Sequence, residues 1–277
     1  MSARGGSLRR AGKYGSIFRI RFLNGLQYRA AAAAGIVTQF AWGTMEILIF
    51  SAFYQGNADS FPMEMAALSS YIWLQQAFLA LFMSWFYEGE IFSLISSGNV
   101  AYELCRPLDL YSLWFLRSMA LRLSRALLRC APILLAAVLL PAPYGLALPA
   151  SPAAFGWFLL SMLLAFLLVV SHTMLVYVLC FFTIDYRGVR MVADSLSEFL
   201  SGAVIPLPFL PGPLCALAKW LPYASMQNMP FRIYSGDIAG MELQNGLLLQ
   251  LFWLAIFYLL GRLLLHRALR RAVVQGG

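Results

Sequence analysis

The chain is poor in charge. Only 12% of its 277 residues are Asp, Glu, Lys or Arg, against roughly 25% in a soluble domain. It has no G-x-x-x-x-G-K-[ST] string, so it does not bind ATP through a P-loop, and no H-E-x-x-H pair to hold zinc. Histidine occurs twice, at His172 and His266. The first falls in the middle of an apolar run, where a hydrogen-bonded packing residue is expected, and the second lies among arginines as an interfacial charge. The four cysteines (Cys105, Cys130, Cys180, Cys215) form no C-x-x-C pair, which excludes a disulfide framework or a cysteine zinc site as the organising feature. A membrane-embedded lipid enzyme would need His, Asp or Ser clustered near an interface, and no such cluster is read. The N-terminus does not read as a secretory signal, because its basic stretch is long and the apolar segment behind it is long enough to span.

What the chain has instead is apolar length. Hydrophobic residues make up 61% of it, with a mean hydropathy of +0.73. Apolar segments fall near residues 30–54, 66–87, 110–140, 154–182, from 192 to the prolines at 206 and 208, and 246–265. Aromatic residues flank the second (Tyr71, Trp73, Trp85, Tyr87), as in an interfacial belt. Asp109 after Pro107 is a helix N-cap for the third.

The basic residues are split unevenly around these segments. Seven precede the first (Arg4, Arg9, Arg10, Lys13, Arg19, Arg21, Arg29), and five follow the second (Arg106, Arg117, Arg122, Arg125, Arg129). Arg187 and Arg190 follow the fourth, and Arg262, Arg267, Arg270 and Arg271 end the chain, which leaves only Lys219 and Arg232 for the alternate loops. Eighteen against two predicts both termini in the cytoplasm and an even number of spans. The net charge of +8 therefore serves membrane orientation rather than nucleic acid, since the arginines flank apolar helices instead of forming one basic face.

The expected fold is all-α: a single polytopic domain over residues 1–277 with six transmembrane helices. An amphipathic helix over 12–28 would lie in the headgroup layer. Residues 206–244 are too rich in proline for a continuous helix and too apolar for an ordinary loop, so short re-entrant helices are expected there. Asp59 and Glu64 fall in the first external loop. Three acids fall within or beside spans, Glu46, Asp194 and Glu198, and such residues are costly in a bilayer. They read either as a substrate or proton site or as partners of the Arg122–Arg125–Arg129 face.

Residues 88–109, EGEIFSLISSGNVAYELCRPLD, form the most distinctive string. Glu88 and Glu90 open it, Gly98 and Asn99 break it, and Arg106–Pro107 closes it. Two short helices about a glycine hinge fit this order. Ile91, Phe92, Leu94 and Ile95 form an apolar face that would be poorly spent on water, so a docking element is expected. With the Ser201–Gly202 pair, the prolines at 206, 208 and 211, and Leu221–Pro222, this string resembles the permease subunits of type-2 ABC exporters, the class of the daunorubicin-resistance permeases. The matching residues in the string are Glu88, Gly89, Glu90, Gly98, Asn99, Arg106, Pro107 and Asp109.

The resemblance implies a transport subunit without its own ATPase, in the bacterial cytoplasmic membrane. A partner ATP-binding cassette subunit would carry the ATP and Mg, and a second permease, identical or homologous, would complete the pore. It also implies that residues 88–100 are the coupling helix and that spans two and five line the cavity between protomers. The small residues Ala30 to Gly35 would let span one approach the second permease closely. Apolar and aromatic richness suggests an amphipathic or lipid-like cargo. Two alternatives stay open, a secondary transporter and a non-transporting membrane assembly protein.

Overall fold

The computed structural model describes residues 2–58, 61–183 and 185–271, with side chains from 12 to 270. Asp59 and the side chains of Arg4, Arg9, Arg10 and Arg271 lie outside the described residues. The helices are α1 (Ser2–Gly25), α2 (Arg29–Gly56), α3 (Met65–Ala77), α4 (Leu79–Phe82), α5 (Gly89–Ser96), α6 (Val100–Leu104), α7 (Leu110–Leu139), α8 (Pro152–Leu179), α9 (Tyr186–Leu200), α10 (Gly212–Ala218), α11 (Asn228–Tyr234) and α12 (Gly240–Arg271). No strand occurs among the described residues.

Three helical stretches are long and apolar enough to cross a membrane: Arg29–Gly56, Pro152–Phe182 and Gly240–Arg270. The second of these forms the centre. Leu168, Val169, Val170 and Thr173 of α8 are fully buried, and α12 and α11 pack directly against this helix. α7 begins where its cap predicts, with the Asp109 carboxylate accepting from the Ser112 amide at 2.9 Å. α7 is as long as a span, at 30 residues, but its arginines lower its hydropathy.

The two remaining expected spans are broken helices. α3 stops at Ala77, α4 adds one turn to Phe82, and the chain then leaves helical conformation until Gly89. The carbonyls freed there are not left bare. Arg122 of α7, fully buried, donates to Leu81 O (3.1 Å), Met83 O (2.7 Å) and Phe86 O (3.1 Å), and to Thr173 Oγ1 (2.9 Å). α9 is only 15 residues long and ends before Gly202, whose φ of +77° is a left-handed conformation suited to glycine. Here two side chains one turn apart on α3 serve the broken backbone. Tyr71 Oη donates to Gly202 O at 3.0 Å, and Gln75 Nε2 donates to Ala203 O at 2.6 Å. Non-helical backbone at membrane depth survives where protein satisfies it in this way.

The N-terminal helix also differs from the expected 12–28: it runs Ser2–Gly25, and a turn separates it from α2. It is not simply a surface helix, because it lies along α7. Tyr14 Oη accepts from the Asp109 amide at 2.9 Å, and a Cβ on Gly25 would collide with Ser124.

The connections sort to two ends. At one end, Phe92 stacks on Tyr186 (4.7 Å between ring centroids) and Leu265 of α12 joins their cluster. At the other, Phe50, Phe61 and Phe209 pack together, and the Ala150 amide donates to Tyr234 O at 3.2 Å. The segments that the charge pattern places in the cytoplasm thus share one end, and the alternate segments share the other.

Candidate functional site

Residues 88–109 fold as α5 and α6, joined through Gly98 at φ +72°. An ion-pair cluster built on Arg117 of α7 holds them. This guanidinium, with its side chain 1% exposed, donates through Nε to Glu88 at 2.8 Å and through Nη2 to Glu90 at 2.6 Å, and its Nη1 lies 3.9 Å from Glu103. Arg21 of α1 reaches Glu88 at 3.3 Å and Glu90 at 3.4 Å, while Arg106 pairs with Glu103 at 3.3 Å. The Glu88 amide donates to Tyr177 Oη of α8 at 2.7 Å. Three carboxylates around one buried guanidinium tie α5 and α6 to α7, and α1 closes the outer side.

This arrangement corrects the expectation that Ile91, Phe92, Leu94 and Ile95 form an outward docking face with Glu88 and Glu90 free for a partner. Ile91 and Phe92 are 0% and 2% exposed. Phe92 stacks on Tyr186 and meets Tyr87 and Tyr177 edge-on. Ile95 packs against the same cluster, and Leu94 is half-buried. Burying a Phe or Ile side chain contributes about 1.5–3 kcal/mol, and here the chain's own core gains it. What faces outward is another set: Ser93, Ser96, Ser97, Asn99, Tyr102, Leu104, Cys105, Arg106 and Pro107. Tyr102 is 73% exposed and Leu104 44%.

The expected pairing of Asp194 and Glu198 with the Arg122–Arg125–Arg129 face is not found. Asp194 accepts from Tyr87 Oη at 2.9 Å and from Arg190, one turn away, at 3.4 Å. Glu198 makes no ion pair among the described residues. Arg122 is committed to backbone carbonyls, and Arg125 stacks over the Phe86 ring at 5.1 Å. His172 is buried between the Tyr223 and Phe257 rings, but the hydrogen bond expected of it is not found, since its Nδ1 has no partner among the described residues. Among the described residues no group of three His, Cys, Asp or Glu could hold a metal.

A cavity of about 950 Å3 opens between α2, α3, Arg129 of α7, Glu198 of α9 and residues 203–205. Trp42, Phe50, Phe53 and Trp85 supply aromatic wall, and Glu46, Gln39, Gln75 and Gln76 supply polar wall. The three amides are each no more than 5% exposed. Gln39 Oε1, Gln75 Oε1, Glu46 Oε1 and Arg129 Nε have no hydrogen-bond partner among the described residues. Sequence reasoning singled out Glu46 but missed Gln39, Gln75 and Gln76. Three carboxamides inside otherwise apolar segments were the available signal, since an unpaired polar group is costly in an apolar setting, though less so than a charge.

Residues 40–276 match the family model described as ABC-2 family transporter protein. No curated protein matches the chain. Permeases of this family typically lack an ATPase domain and generally pair with an ATP-binding subunit. With six-sevenths of its length matched, the chain belongs to the ABC-2 transporter family, as a membrane component.

Proposed function

We propose that the chain is the transmembrane permease subunit of an ATP-driven exporter in a bacterial cytoplasmic membrane, with six spans and both termini cytoplasmic. The broken helices α3–α4 and α9 count as the second and fifth spans, α1 lies at the inner interface, and α10 and α11 dip into the outer leaflet. A partner cassette ATPase holds the ATP and Mg, and a second permease, identical or homologous, packs against α2. The groove beside Glu46 receives an amphipathic or lipid-like cargo. In a two-fold pair the same patch of each permease would lie at the contact, residue i of one chain meeting residue j of the other.

The observation that carries the reading is the 88–109 segment. It is fixed to α7 and α8 through Arg117 and Tyr177, yet it presents Tyr102 and Leu104 outward. A rigidly held helix pair with an exposed aromatic and an exposed aliphatic residue is suited to carry a push from a partner into α7 and α8. The test is co-purification with the cassette ATPase and stimulation of its hydrolysis. Tyr102→Asp should abolish both while the chain still inserts and stays folded. A wild-type chain that neither retains nor stimulates an ATPase would favour the secondary-transporter or assembly reading.

A further inference from the structure

The two basic residues left over by the charge split, Lys219 and Arg232, line one cavity of about 730 Å3 at the end opposite the 88–109 segment. It lies between the α10–α11 region and the first turns of α12. Arg232 is 7% exposed and uses Nε on Asp237. Its Nη groups and the Lys219 ammonium make no hydrogen bond or ion pair among the described residues. Glu242 and Asn245, one turn apart on α12, add a carboxylate and an amide. The rest of the wall is largely apolar, with Met229, Leu249, Leu248 and Phe252. Leu248 and Phe252 are 64% and 55% exposed on the outer side of α12. Trp220, 73% exposed, fixes the rim through its carbonyl, which accepts from Trp253 Nε1 at 3.0 Å.

We infer that this cavity binds a zwitterionic glycerophospholipid, with its phosphate on Lys219 and Arg232, its amine toward Glu242, and its acyl chains along Leu248 and Phe252. Two free donors with positive charge call for an anion, and guanidinium and ammonium groups are strong phosphate partners. Asp237 and Glu242 cancel the local excess, so a purely anionic headgroup gains less than one that carries its own ammonium. The size fits a headgroup and the first part of its chains, since ligand cavities run about 300–1,000 Å3. Leu248 and Phe252 carry the site onto the exposed apolar side of α12, and exposed tryptophan belongs at the headgroup level. The outer-leaflet position rests on the topology proposed above, but binding itself needs neither the ATPase nor transport.

Native mass spectrometry of the full chain, titrated with palmitoyl-oleoyl phosphatidylethanolamine and with the phosphatidylglycerol of the same chains, tests the inference. The ethanolamine lipid should bind more tightly, and Glu242→Gln should erase that preference. Lys219→Gln, at an exposed position, should weaken the ethanolamine lipid about tenfold, and Asn245→Trp, which adds bulk to the cavity wall, should weaken it as well. The control Lys13→Gln, on α1 at the other end, should change nothing. Lipid affinity unaltered by Lys219→Gln, or equal affinity for the two headgroups, would each overturn the assignment.

Discussion

Two arginines on α7 act in different ways. Arg122 neutralises no carboxylate in direct contact. It gathers three backbone carbonyls and a threonine hydroxyl where α4 ends. Its planar fork reaches several acceptors at once, which a single ammonium cannot reproduce. Arg122→Met should therefore destabilise the fold by about 3 kcal/mol or more, since several buried carbonyls lose a charged side-chain donor. Arg122→Lys should recover little of it. Thermal unfolding of the purified chain in detergent measures both, and a melting temperature unchanged in Arg122→Met would show that the carbonyls find other partners. Arg117 is the opposite case, a buried cation matched by Glu88, Glu90 and Glu103. Removing one partner of such a group leaves the others uncompensated. Arg117→Gln should loosen α5 and α6 before the rest of the bundle, seen as faster hydrogen exchange confined to 88–108.

At the scale of elements, α5 and α6 decide how the ATPase would be met. Phe92→Asp places a carboxylate among three tyrosine rings, so it should lower folded yield rather than cleanly uncouple an otherwise sound protein. Leu104→Asp changes an exposed residue and should leave yield and melting temperature near wild type while reducing ATPase pull-down several-fold. If both variants express equally and only Phe92→Asp releases the ATPase, the outward face has been misassigned. The same element shows where sequence reading stops. The Asp109 cap, the Gly98 break and the long third helix are local and can be read from neighbouring residues. The inward turn of Phe92 depends on Tyr87, Tyr177 and Tyr186, the last two more than 80 positions away, and no periodicity within eight residues signals that. The broken spans were hidden for a related reason. Composition gives 66–87 and the region after 192 the look of continuous spans, whereas the breaks are sustained by side chains on other helices, namely Arg122, Tyr71 and Gln75.

At the scale of the whole molecule, charge and packing can be compared directly. Arg21, Arg106, Arg117, Arg190 and Arg262 make their ion pairs at the end that carries 88–109, while Lys219 and Arg232 line a cavity at the other. The fold thus separates the loops as the positive-inside pattern requires, although among the described residues three helices qualify as spans by length and composition alone. Topology is tested with single cysteines after Cys105, Cys130, Cys180 and Cys215 are replaced. Cys180 is buried and its thiol meets Val176 O, so alanine is the mildest replacement there. Asn99→Cys sits in the exposed bend between α5 and α6, and Leu148→Cys sits at the opposite end at a position 89% exposed. Both sites are exposed on the folded chain, so a difference in labelling does not report burial within the protein. A membrane-impermeant maleimide should label position 148 in intact cells and position 99 only after permeabilisation. Equal labelling of both in intact cells would reverse the placement of the 88–109 segment, and a segment on that side could not meet a cytoplasmic ATPase whatever its shape.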